Sequence, residues 1–413
     1  MRGARVIMAA AGVCGVIVAA GGATTALADI PVSAGTASSS WNQTDSNAAL
    51  SRANLDEHIL TRATVGQVRF LRGITPPAYP PDASCGAFES PGFVAPVLAG
   101  GRLYAVANGR LTKYNPATGK VIWQRTPVPD FSSVFKAVAL ANGLLIVGGE
   151  SCESVSAPAG NIQAFNASTG ALVWSQPTGN GDRWPLDHLV VSGRYVVAAG
   201  SSAETPNIVQ VRRVATGALV WQQLSDCGRS DVMVVAQRII SSSCSPSETP
   251  TLTARSLGTG ALAWSQPGAW GLQRGDTDAS TGRHVYATDP SGTVVSLNPL
   301  TGKTQYQLAG ATGVLAVATA RVFADCGAQG VCAYSITSGN QEWNAQPGSP
   351  TTLGASAGGV LYLDQGLALN TGTGKTLATL WAAGSPAGAL AVGNGRIAAS
   401  SGPNGQVLDL YGL

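Results

Sequence analysis

The chain has 413 residues, of which 11% are charged and 45% hydrophobic, with 52 glycines and a net charge of +3. So little charge gives no footing for nucleic acid or an anionic membrane surface as partner. Abundant Gly, Val, Ala, Ser and Thr favour strands and tight turns over amphipathic helices. In chain order, Arg2 and Arg5 precede an uncharged apolar run from Val6 to Ala20, and Ala26-Leu27-Ala28 supplies a small-x-small cleavage site. The run is short for a membrane span of about 20 residues. The pattern predicts a signal peptide over 1–28, cleaved after Ala28, and a secreted or cell-envelope protein with no membrane span left. Cleavage lowers the net charge from +3 to +1. Cys14 lies inside the apolar run, after Val13, which argues against a lipid anchor. Residues 29–60 read as a leader and N-terminal lead-in, flexible and rich in small residues up to 40, and 61–413 as one repeat domain.

A recurrent turn organises that domain. Thr118-Gly119, Thr169-Gly170, Thr216-Gly217, Thr259-Gly260, Thr301-Gly302, Ser338-Gly339 and Thr373-Gly374 have glycines 51, 47, 43, 42, 37 and 35 residues apart. This is the spacing of propeller blades rather than of helical solenoid units. Four residues after each glycine stands an aromatic: Trp123, Trp174, Trp221, Trp264, Tyr306 and Trp343, with Ala378 in the seventh unit. Upstream runs such as Leu111 to Asn115 and Ile162 to Asn166 alternate apolar and polar residues as strands do. One unit therefore reads as strands A, B and C, a Thr-Gly turn, and strand D carrying the aromatic. A lone four-stranded sheet cannot bury both faces, so blades must pack against one another around an axis. A Trp fixed on each strand D would fill the wedge between neighbours.

These residues resemble the tryptophan-docking repeat of the PQQ-type quinoprotein propellers, Ala-x-Asp-x-x-Thr-Gly-x-x-x-Trp. The second unit follows it as Ala164, Asn166, Thr169, Gly170, Trp174, and the fourth as Ala254, Ser256, Thr259, Gly260, Trp264. The third departs with Val211 and Arg213. The resemblance implies an all-β, eight-bladed propeller of four-stranded antiparallel blades. Its eighth blade would be completed by an N-terminal strand at Thr64–Phe70 pairing beside Gln406–Tyr411, which have no strand D of their own. If that strand pairs elsewhere, the count is seven.

In such a blade the A–B and C–D turns share one rim, here called the turn rim. The B–C loops and D–A connections share the other, the loop rim. The turn rim looks structural, because its Thr-Gly turns are short and uniform. The loop rim carries the longer insertions and the six remaining cysteines. Their placement predicts the pairs Cys85–Cys152, Cys227–Cys244 and Cys326–Cys332 in an oxidising compartment. The loop rim is also where aromatic and charged residues unexplained by the repeat fall. Arg183, Trp184, Asp187 and His188 lie between blades two and three, and Trp270, Arg274, Asp276 and Asp278 between blades four and five. An aromatic beside hydrogen-bonding groups suits a ligand such as a sugar or peptide, although loop aromatics also serve packing.

Other motifs carry no chemistry. Gly354-Ala-Ser-Ala-Gly358 matches a nucleophile elbow but falls on a strand and its turn, not on a strand-to-helix turn, so Ser356 is structural. Asn370 to Thr376 lacks the first glycine of a phosphate loop. His58, His188 and His284 have no metal-ligand spacing. The resemblance brings two functions. PQQ-dependent enzymes of this fold use adjacent cysteines, a calcium held by Glu, Asn and Asp, and an Asp base. This sequence has no adjacent cysteines and lacks the enzymes' long insertions. It is more similar to shorter non-catalytic relatives. The reading is an exported, non-enzymatic monomer that binds a protein, peptide or glycan through the loop rim, without metal or cofactor. The alternative is a PQQ- and calcium-dependent oxidoreductase of alcohols or sugars, with Asp187 or Asp276 as base.

Overall fold

The computed structural model describes residues 39–76, 93–126, 133–151, 160–178, 186, 188–200, 207–225, 231–245, 248–276, 282–348, 351–381, 388–402 and 405–413. The repeat folds into eight sheets, each ordered A-B-C-D, with a fifth strand, Ala53–Asn54, parallel to strand A of blade seven. Strands A are Phe93–Ala99, Ser133–Ala141, His188–Ser192, Val232–Val235, Gly271–Gly275, Gly313–Val317, Gly354–Ala357 and Leu390–Gly393. Each touches the strands A of both neighbouring blades, and the cycle closes from blade eight back to blade one. Strands A therefore line the axis. Strand B of blade one is apolar on both faces because blades flank it on both sides: in Arg102–Ala107 every residue after the first is buried.

Blade eight joins the two ends of the chain, as the repeat count requires. Its strand C, Val407–Gly412, pairs antiparallel with Arg69–Ile74, which serves as strand D. The latch strand lies later than the sequence alternation suggests, because Val65–Gln67 forms a 3-10 turn instead of extending. Local bonds override the alternation there. Thr61 N–H donates to Thr64 Oγ1 at 2.8 Å, Thr64 Oγ1 donates to Ile59 O at 2.6 Å, and Val65 N–H donates to Thr61 O at 2.9 Å. The 3-10 turn buries Val65 in the core shared by blades seven, eight and one.

The repeat aromatics dock between blades. A β-bulge in strand D, for example between Leu172 and Trp174, precedes each docking position. The indole N–H then donates to a carbonyl in the next blade's turn. Trp123 reaches Ser168 O at 3.1 Å, Trp174 Val214 O at 2.9 Å, Trp221 Leu257 O at 2.9 Å, Trp264 Pro299 O at 2.8 Å and Trp343 Thr371 O at 3.1 Å. Tyr306 does the same through its hydroxyl, to Ile336 O at 2.5 Å. The ring lies on the turn glycine. A Cβ at Gly217, whose φ is +71°, would stand 2.6 Å from Trp174. Glycine is required there twice over, for its backbone and for the ring above it.

Two positions break the pattern for a topological reason. Blade eight has no C–D turn, since its strand D comes from residues 69–74, so the aromatic of blade seven has no glycine to cover and Ala378 suffices. The 3-10 turn abuts that strand instead. Arg72 occupies the docking position of blade eight, its partner in the register being Leu410. Its guanidinium lies on Gly119 and donates to Ala117 O.

Replacing Gly217 with Ala should therefore destabilise the protein by roughly 2–3 kcal/mol, combining backbone strain with displacement of Trp174. Gly143 has φ +74° but open space around its Cβ position. Its Ala variant should lose only about 1 kcal/mol. Urea midpoints of the two variants check this, and equal losses would contradict the docking account.

Candidate functional site

Strand A is the innermost strand of each blade's own repeat, and its outward N–H and C=O groups face the axis and need partners; in blade seven Ala53–Asn54 pairs parallel with it as a fifth strand. Residues 39–54 supply that pairing by running once around the channel at the turn rim. Each blade donates one N–H to this ring. In blade one the bonding is reciprocal: Leu98 N–H donates to Trp41 O at 3.0 Å and Trp41 N–H donates to Leu98 O at 2.8 Å. Leu140 donates to Asn42 O at 2.7 Å and Val191 to the side-chain Oε1 of Gln43 at 2.7 Å. Val234 donates to Ala48 O at 2.7 Å, Gly275 to Ala49 O at 2.8 Å, Val317 to Ser51 O at 2.8 Å and Ser356 to Arg52 O at 2.8 Å. Asn394, just beyond strand A of blade eight, donates to Ser39 O at 2.8 Å. Ser39, within the stretch whose composition suggests a flexible leader, is thus buried and bonded.

Following so tight a circle strains the ring. Asp45, Ser46, Leu50 and Arg52 all have positive φ, between 51° and 77°, without being glycine. Side chains hold these bends: Ser46 Oγ donates to Ala53 O at 2.7 Å, and Asn47 Oδ1 accepts from Ala49 N–H at 3.1 Å and Ser51 N–H at 3.2 Å.

The ring brings a carboxylate into the channel. Asp45 Oδ1 is 2.6 Å from Arg52 Nε and its Oδ2 is 3.2 Å from Arg274 Nη1. All three side chains are less than a fifth exposed. Burial pushes the Asp45 carboxyl up, but Arg274 and Arg52 together outweigh it and hold the group below the usual carboxylate range. Burial lowers Arg274 to about 10, with Asp45 and Asp231 opposing the fall. Further along, His188 Nε2 stands 3.1 Å from Asp231 Oδ1, linking the loop-rim ends of strands A in blades three and four. Charges thus extend down the channel from the ring to the loop rim.

The residues singled out from sequence are redistributed. His188 lies on the loop rim as its position implies. Trp270 precedes strand A of blade five and packs on the core of blades four and five, with Nε1 donating to Pro267 O at 3.1 Å. Arg274 and Asp276 do not share its rim. Strand A of blade five starts at Gly271, so it carries them to its opposite end, where Arg274 meets the ring and Asp276 Oδ2 accepts from Arg283 N–H at 2.6 Å. Arg183, Trp184, Asp187 and Asp278 lie outside the described residues. So do Cys85, Cys152, Cys227 and the side chain of Cys244. Cys326 and Cys332 are joined in a disulfide across the B–C loop of blade six. Asp45, Arg52 and Asp231 were not singled out, because nothing in a short irregular stretch or a lone aspartate marks a channel position.

A quinone-calcium centre needs several oxygen donors converging on one ion. Among the described residues no three His, Cys, Asp or Glu side chains converge, and Asp45 is already engaged by two arginines. Two clefts, of about 780 and 530 Å³, open on the turn rim between blades one and two and between blades six and seven.

Ring closure, docking aromatics and an axial segment together define an eight-bladed propeller of the PQQ-repeat class. The family described as outer membrane protein assembly factor BamB matches residues 49–266 and 248–409, and the chain belongs to it. No curated protein matches the sequence. Among solved structures, the fold is shared with quinohemoprotein alcohol dehydrogenase from Comamonas testosteroni, at 14% identity and TM-score 0.63, over 91% of this chain and 81% of that one. A europium-containing methanol dehydrogenase is similar at 13% identity and TM-score 0.62, covering 91% and 98%. BamB from Moraxella catarrhalis is similar at 16% identity and TM-score 0.55, covering 84% and 100%.

Replacing Asp45 with Asn leaves two buried guanidinium groups without their anion and should destabilise the protein by about 2–3 kcal/mol at neutral pH. Because the folded carboxyl titrates below its unfolded value, its stabilisation is complete above the ordinary carboxylate range. It is lost as pH falls through the depressed value. The gap between wild type and Asp45→Asn in urea midpoint should therefore narrow as pH drops below the ordinary carboxylate range; a gap independent of pH would contradict the pairing.

Proposed function

We propose that the protein is an exported, monomeric, non-enzymatic propeller that binds another protein through its loop rim. The carrying observation is the ring of residues 39–54, which threads the turn-rim end of the channel and commits its one carboxylate to Arg52 and Arg274. Membership of the BamB family, described as an assembly factor, supports a protein rather than a small-molecule partner. The His188–Asp231 pair, with Arg183 and Trp184 nearby in sequence, supplies polar and aromatic groups for that contact. A peptide or glycan would use the same groups. Export rests on the charged, apolar and small-residue pattern of 1–28, which places a mature N-terminus at Asp29. Among the described residues no helix is long and apolar enough to cross a membrane.

The rival reading, a quinoprotein oxidoreductase, is tested by adding PQQ and Ca²⁺ to the purified mature protein. No stoichiometric quinone absorbance and no dye-linked oxidation of alcohols or sugars is expected; saturable uptake with turnover would overturn the non-enzymatic reading. Non-reducing peptide mapping of the exported protein should recover Cys326–Cys332 together with Cys85–Cys152 and Cys227–Cys244. A Cys152–Cys227 link would contradict the proposed pinning of the loop rim.

A further inference from the structure

We propose that the wedge between blades one and two binds the carboxylate of an acidic peptide through Lys113 and Arg102. This site is on the turn rim and is independent of the loop-rim reading. Its origin is a departure from the repeat. The strand C residue paired with the docking position is Ala164, Val211, Ala254, Ser296, Ala333 and Ala368 in blades two to seven. In blade one it is Lys113, opposite Trp123. A small residue there lets blades close on one another; a lysine needs a reason.

Lys113 is only 7% exposed. Its Nζ donates to Ala167 O at 3.0 Å and Ser168 O at 3.3 Å and lies 5.6 Å from the centre of the Tyr104 ring. Two carbonyls and a ring orient the ammonium without neutralising it, and a third N–H remains to be used. No carboxylate of the described residues pairs with it. The cleft that Lys113 lines, of about 780 Å³, includes Arg102 and no Asp or Glu. Its volume suits a short stretch of peptide. Two cations facing a cleft without an acid call for an anion from outside. Burial, with Arg102 second, lowers the Lys113 amine below the ordinary lysine value, as expected of a cation whose counter-charge is absent.

A peptide fits better than a sugar. The walls offer main-chain groups and the amides of Asn42 and Asn142, which can serve both donors and acceptors of an extended backbone. Tyr104, the one aromatic of the lining, is 5% exposed and has the Lys113 ammonium over its ring, so no free aromatic face is left for a sugar to stack on.

The test uses mature protein and a fluorescein-labelled glutamate-rich decapeptide, with its glutamine counterpart, in anisotropy titrations at physiological ionic strength. The acidic peptide should bind saturably and the glutamine peptide about tenfold or more weaker. K113M should remove about tenfold of the affinity and R102Q several-fold, while K303Q, an exposed cation elsewhere on the same rim, should change nothing. Should K113M fail to fold, R102Q decides, since Arg102 is exposed. The acidic peptide should also slow acetylation of Lys113, read by mass spectrometry. Equal binding of both peptides, no binding of either, wild-type affinity in R102Q, or stronger competition by an acidic oligosaccharide would overturn the assignment.

Discussion

A propeller leaves one strand edge of every blade facing its axis, and here eight such edges meet a single segment of the same chain. The acceptors that residues 39–54 offer, main-chain carbonyls and one glutamine side chain, each meet an N–H from a different blade. Free edges invite pairing with other chains, and buried amides without acceptors are costly. A ring that satisfies both constraints also fixes where everything else at that end of the channel lies. The Asp45 carboxylate is inside the channel because the chain turns through positive φ at Asp45 and Ser46. Arg274 is inside because strand A of blade five delivers it to the same level.

The ring and the latch are one device in two parts. After circling the axis, the chain leaves at Asn54, whose Nδ2 donates to Val392 O at 2.9 Å and Ser39 O at 3.0 Å, so the end of the circle meets its beginning. Glu57 continues the closure by accepting from Ser39 Oγ at 3.1 Å and Gly395 N–H at 3.2 Å. The chain then crosses the turn rim to become the outermost strand of blade eight. Innermost and outermost layers of the same blade are thus tied to residues less than forty apart in sequence, while their partners on strands A and C come from the far end of the chain. The wedge between blades follows a different economy, an aromatic resting on a glycine, repeated wherever a C–D turn exists and relaxed where it does not.

The parts of this arrangement that repeat were legible in the sequence, because a periodic physical need leaves a periodic signature. Turn glycines and docking tryptophans could be read in register, and even the exception at Ala378 was visible, though its cause lay in the blade-eight junction. The latch was legible but displaced, since Thr61 and Thr64 make local bonds that an alternation pattern does not register. The ring was not legible. It acts mainly through carbonyl oxygens, which every residue has, and its bends fall on Asp, Ser, Leu and Arg rather than on marker glycines. Arg274 reads from sequence as a loop-rim residue but sits at the ring for a related reason: strand A begins four residues after Pro267, so the nearby residues are strand rather than loop. Lys113 stood in plain view as the one charged residue at a position otherwise held by small or apolar ones, yet its meaning depends on the cleft beside it.

The ring is the claim on which the closed channel rests, and amide hydrogen exchange on the intact mature protein tests it most directly. The amides of Leu98, Leu140, Val191, Val234, Gly275, Val317, Ser356 and Asn394 should exchange as slowly as those in the middle strands of the blades, because each is bonded to the ring. Rapid exchange at these positions, with the middle strands still protected, would show that residues 39–54 do not seal the strand edges and would contradict the account.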